Sequence, residues 1–137
     1  MYDFHDPKMS LNKHCLQANK GKEFKCLMAQ NKIHFIRTPL YIMNSLVDSW
    51  QVNNLMNITC DLSQKNKCSK SEVSYLNNYR ETMIAALNPL IEDKENAGGC
   101  YLVECYAHSI ANDDRYWLHT YVEEKTNQDV MLSWMQG

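Results

Sequence analysis

Glycine is scarce in this sequence, at positions 21, 98, 99 and 137 alone. A Gly-x-Ser-x-Gly turn, the sharp elbow that lifts a serine nucleophile above a sheet, therefore cannot be formed anywhere in the chain. Long apolar runs are missing too, since none approaches the roughly 18 residues that a membrane-crossing helix needs. Charge of either sign is hardly in excess: 14 Lys and Arg stand against 16 Asp and Glu, a net charge of −2, which favours neither nucleic acid nor an anionic membrane as partner. The basic residues are denser before position 39, but Lys8, Lys13, Lys20, Lys22, Lys25 and Lys32 form no compact run and are read as solvated. Paired Cys-x2-4-Cys knuckles are absent, which argues against a zinc site. The opening residues, Met1 to Asp6, have neither the charged nor the apolar region of a signal peptide.

What is present is enough for one domain: 137 residues with 45% hydrophobic and 22% charged side chains, and no internal repeat. Six cysteines, Cys15, Cys26, Cys60, Cys68, Cys100 and Cys105, are many for a reducing compartment. The sequon Asn57-Ile58-Thr59 makes Asn57 a candidate glycosylation site and points the same way. Cysteines and sequon read as secreted while the N-terminus does not, and the two agree if residues upstream of Met1 are missing.

Residues 1–32 lack clean periodicity and read as a loop-rich lead-in pinned by Cys15 and Cys26. Residues 33–44, with Pro39 opening a near-continuous apolar run, read as a first strand that stops at Asn44 and Ser45. A short helix capped by Asp48 or Ser49 follows, then a polar excursion bracketed by Cys60 and Cys68. The strongest helix covers about residues 69–87, opened by the capping box Ser69-x-x-Glu72, striped by Val73, Leu76, Met83, Ile84 and Leu87, and ended or kinked by Pro89. After an acidic loop, residues 100–106 read as a second strand, and Val130, Met131 and Trp134 mark a helix in the tail.

This order suggests two parallel strands of an α/β sheet flanked by helices, in which chemistry gathers at the carboxyl ends of the strands. Asp48 stands at one such end and His108 at the other. A carboxylate that fixes an imidazole's tautomer is the orienting half of an acyl-transfer triad. The order Asp then His fits a hydrolase whose serine lies upstream, yet Ser10 lies in a polar segment with no strand ahead of it, and Ser45 and Ser49 are on no elbow. His5, His14, His34 and His119 are read as structural or solvated, and Trp50 and Gln51 as packing and helix-start residues rather than a substrate rim.

Two segments carry a resemblance. Thr38-Pro39-Leu40-Tyr41-Ile42-Met43-Asn44-Ser45-Leu46-Val47-Asp48-Ser49-Trp50-Gln51 resembles the catalytic-Asp segment of the pectin acetylesterase and Notum carboxylesterase family. Gly99-Cys100-Tyr101-Leu102-Val103-Glu104-Cys105-Tyr106-Ala107-His108 resembles its catalytic-His segment. With Cys26, Cys60, Cys68, Tyr79-Arg80, Trp117 and Trp134, the likeness covers roughly residues 14–137. It implies that residues 33–137 are the C-terminal portion of an α/β-hydrolase-like domain, with an incomplete parallel sheet. It also implies a secreted serine carboxylesterase acting on an acylated polysaccharide or a lipidated protein, with Asp48 as triad acid and His108 as triad base. The nucleophile lies in an upstream half that this chain lacks, and no metal or organic cofactor is needed. The alternative is a fragment or binding module with no hydrolase activity of its own. Cys60 with Cys68 is the preferred disulfide and Cys15 with Cys26 a second. Ser109, where the family has cysteine after the His, implies one lost disulfide, and Cys100 reads as a buried free thiol.

Overall fold

The computed structural model describes residues 10–60, 62, 67–92 and 98–137. His5 and the acidic loop at 93–97 lie outside the described residues. The elements are α1 (Lys13–Ala18), a 3-10 turn (Glu23–Leu27), α2 (Ala29–Lys32), a second turn (Ile33–Phe35), β1 (Tyr41–Asp48) and α3 (Ser49–Asn54). They continue with α4 (Lys70–Glu92), β2 (Gly99–Ala107), a third turn (Ile110–Asn112), α5 (Asp114–Leu118) and α6 (Asn127–Gln136). Among the described residues the sheet has two strands, and they run parallel, so the chain is α/β with a small sheet flanked by helices.

The first strand begins and ends later than the apolar run suggests. Residues 33–35 form a 3-10 turn, and ladder pairing starts just beyond Pro39, where the amide of Gly99 donates to the carbonyl of Leu40. Proline has no N–H to give a ladder, so the strand starts after it. At the far end, Asn44 and Ser45 do not stop the strand, because the serine is absorbed into a bulge. Register runs Ser45 to Val103 and then Val47 to Tyr106, so β2 spends one residue more than β1 over that step. The fully buried Ser45 hydroxyl donates to the carbonyl of Cys105 and accepts from the amide of Val47 at 3.0 Å, satisfying groups the interrupted ladder leaves over.

α4 opens as expected: the amide of Ser69 donates to Glu72 at 2.7 Å, and the amide of Glu72 to the Ser69 hydroxyl at 3.3 Å. Pro89 does not end it, and the helix continues to Glu92. So late in a helix the missing N–H costs a single backbone bond, and burial of Leu87 with the approach of Leu90 to Gly98 holds the last turn in place. Among the described residues no helix is long and apolar enough to cross a membrane.

Packing falls into two clusters. Tyr101, Val103, Ala107 and Ile110 form one, with Tyr41, Met43, Tyr116 and Val130 against it. Val52, Ile58 and Leu76 form the other, with Val47, Met56, Cys60 and Leu62. At the first, the Tyr41 ring lies 5.2 Å from that of Trp134, tilted at 45°, and its hydroxyl donates to the buried Asn127 at 2.7 Å. Disulfides join Cys15 to Cys26 and Cys60 to Cys68. Cys100 is a free thiol but only half-buried, and Cys105 is free and exposed.

Candidate active site

Asp48 is the last residue of β1 and the N-cap of α3, and its position explains its two partners. As a cap, its Oδ1 accepts the amide of Gln51 at 2.8 Å, one of the donors that the first helical turn leaves unpaired. Its other oxygen, Oδ2, lies 2.9 Å from Nδ1 of His108. The carboxylate is buried, its side chain 5% exposed, whereas the imidazole is 49% exposed. Burial without these two hydrogen bonds would be costly for an ionised group.

The bulge brings the pair together. Before it, each β1 residue faces a β2 residue 58 positions on, as Tyr41 faces Gly99; after it the offset is 59, and Asp48 faces Ala107. His108 is therefore the next residue beyond the partner of Asp48. Ser109 then takes a left-handed conformation, φ 54°, which turns the chain away into the third turn. From the other side α4 brings Tyr79 near: burial first, and then the charge of Asp48, raise its phenol above the ordinary value.

Chemically, a carboxylate on Nδ1 fixes the imidazole with its proton on that nitrogen and leaves the Nε2 lone pair to accept a proton elsewhere. Ser45 has its hydroxyl engaged and buried, and no group of three or more His, Cys, Asp or Glu among the described residues is arranged to hold a metal. Asn57, the glycosylation candidate, is exposed and left-handed, φ 54°, just beyond α3.

One expectation is overturned. Trp50 is not packing the core: it is 50% exposed, with its ring 6.2 Å from that of His108. Tyr106, named only as part of the His108 segment, and Asn53 were given no role; the Tyr106 hydroxyl donates to Asn53 Oδ1 at 2.7 Å, joining the end of β2 to α3. The three-residue spacing of Trp50 and Asn53 on one short helix was the only sequence signal for that pairing.

A buried carboxylate and a half-exposed imidazole, one at each strand's carboxyl end, thus stand in hydrogen-bond contact on a small parallel sheet of an α/β chain. The chain belongs to the pectinacetylesterase family, whose model matches residues 1–137. It is similar to three proteins of Arabidopsis thaliana. With pectin acetylesterase 7 it is 29% identical over 110 residues, 73% of this chain and 27% of that one. With pectin acetylesterase 5 it is 28% identical over 109 residues, 72% and 24%. With pectin acetylesterase 4 it is 27% identical over 135 residues, 91% and 32%. The chain thus spans about a quarter to a third of the length of these relatives. No solved structure matches it significantly.

Proposed function

We propose that this chain supplies the acid and base of a serine carboxylesterase of α/β-hydrolase type that removes acetyl groups from a polysaccharide. The 2.9 Å contact between His108 Nδ1 and the buried Asp48 Oδ2 carries the reading. Asp48 holds the imidazole in one tautomer and stabilises its charged form. His108 takes the proton of a serine through Nε2, the serine oxygen adds to the ester carbonyl, and the alkoxide of the sugar leaves with that proton. Water, deprotonated by the same imidazole, then releases acetate and restores the serine. That serine and the amides that hold the oxyanion belong to the part of the relatives' length that this chain does not span. The pectin acetylesterases it resembles support acetyl over a fatty acyl group, and two disulfides with the exposed Asn57 support secretion and glycosylation at that residue.

The test uses the natural polypeptide that carries this sequence, assayed for acetate release from acetylated pectin and from a small aryl acetate. Activity that His108→Ala abolishes is the expected result. No hydrolysis of either ester by the folded wild type would remove the esterase reading and leave the non-catalytic binding module.

A further inference from the structure

The surface around His108 has a composition that the proton relay does not use. Trp50 lies in the first turn of α3, two residues after Asp48, and is half exposed, its ring beside the imidazole with the planes inclined at 30°. Asn53 lies three residues on, on the same side of the helix. It holds the Tyr106 hydroxyl at 2.7 Å, and Tyr106 is itself 43% exposed. Two pairs, Trp50 with His108 and Asn53 with Tyr106, thus bridge α3 and the end of β2, and the three-residue spacing of Trp50 and Asn53 puts them on one side of α3. Trp50 is held in place by the Asp48 cap at the start of the helix and by the Asn54 side chain, whose Nδ2 donates to the Trp50 carbonyl at 2.8 Å.

A flat apolar surface edged by an amide and a hydroxyl complements a sugar ring, which offers C–H bonds on its face and hydroxyls around its edge. A fatty acyl chain asks instead for an enclosed apolar slot. Ionic recognition is a weaker candidate. Arg80 is the cation of the adjoining cavity of about 310 Å³, which Val47, Leu76, Glu104 and Tyr106 help to line, and it is already paired with Glu104 and Glu81. We infer that Trp50 is a stacking platform for the pyranose ring that bears the scissile ester, with Asn53 and the Tyr106 hydroxyl at the ring's edge and His108 at the ester. Rings stacked there would be read by shape and hydroxyls, so binding should depend little on salt.

This inference rests on the esterase reading, and the experiment separates the two by measuring binding apart from turnover. In the natural polypeptide, equilibrium binding of a de-acetylated pectin oligosaccharide is measured for wild type, Trp50→Ala and Trp50→Phe, alongside kinetics on an acetylated pectin oligosaccharide and an aryl acetate. The expected result is about tenfold weaker binding in Trp50→Ala, with partial rescue by Trp50→Phe. KM for the saccharide ester should rise at least about tenfold more than KM for the aryl acetate. Saccharide binding that is absent, or equal in all three proteins, would overturn the inference. So would an equal loss on both esters, which would make Trp50 a support for His108, or a thermal midpoint several degrees lower in Trp50→Ala, which would make it a packed residue. Trp50-dependent binding without hydrolysis of either ester would sink the esterase reading alone.

Discussion

At the scale of single residues, Asp48 does two jobs with two oxygens, and substitutions should separate them. Asp48→Asn keeps an oxygen for the Gln51 amide but loses the charge and the correct imidazole tautomer. On the proposed esterase reading, kcat of the natural polypeptide should fall by about 10³–10⁴-fold with little change in urea midpoint. Asp48→Ala should lose activity equally and also about 1 kcal/mol of stability, the usual worth of an N-cap, measured by urea denaturation. Tyr41 titrates unusually. Burial first, then Cys100 and Tyr101, push its phenol up to about 12. The folded state thus holds a proton that the unfolded chain gives up near the ordinary value of about 10. This contribution is complete below pH 10 and is lost as pH rises towards 12. Tyr41→Phe should flatten the alkaline limb of a stability profile, and should also destabilise by about 1–3 kcal/mol because Asn127 is left buried and short of a partner.

At the scale of elements, helix starts were the most legible feature. Ser69-x-x-Glu72 and Asp48 act through side chains within three residues of the amides they cap, so local sequence suffices. Thr126 and Asp129 form a further reciprocal box at α6. Its hydrogen bonds, from the Thr126 side chain first, hold Asp129 below the ordinary carboxylate range, and the Ser69 bonds do the same for Glu72. Stability from both caps is therefore present above about pH 4 and lost as pH falls through the lowered values. Loss of amide-exchange protection in α4 and α6 on acidification, absent in Glu72→Gln with Asp129→Asn, would verify this. Strand limits were the least legible. Asn44 and Ser45 look like a stop, and only pairing with β2 reveals a bulge that carries the strand on to Asp48. Gly99 likewise reads as a loop glycine, yet a Cβ there would stand 2.7 Å from both Trp134 and Tyr41. Gly99→Ala should cost about 1–3 kcal/mol, seen as a lower thermal midpoint.

At the scale of the whole molecule, the described sheet has two strands, each with an unpaired outer edge, and the apolar packing is split between two small clusters. Among the described residues Leu55, Tyr121 and Met135 are each more than 60% exposed. Parallel strands normally lie inside a larger sheet, and bare edges recruit other chains. The isolated 137-residue chain should therefore self-associate in sedimentation experiments as concentration rises, and a longer polypeptide that pairs those edges should not. What the sequence determined by itself was local chemistry: cap residues, the α/β alternation, the cysteines and sequon, and the two segments that identify the family. The sequence also paired Asp48 with His108; tertiary structure alone decided the one-residue slip of β2 against β1 that sets the register of that pair, and the exposure of Trp50 beside it. Caps act over three residues, within reach of a linear pattern, whereas strand register and exposure depend on partners some 60 residues away.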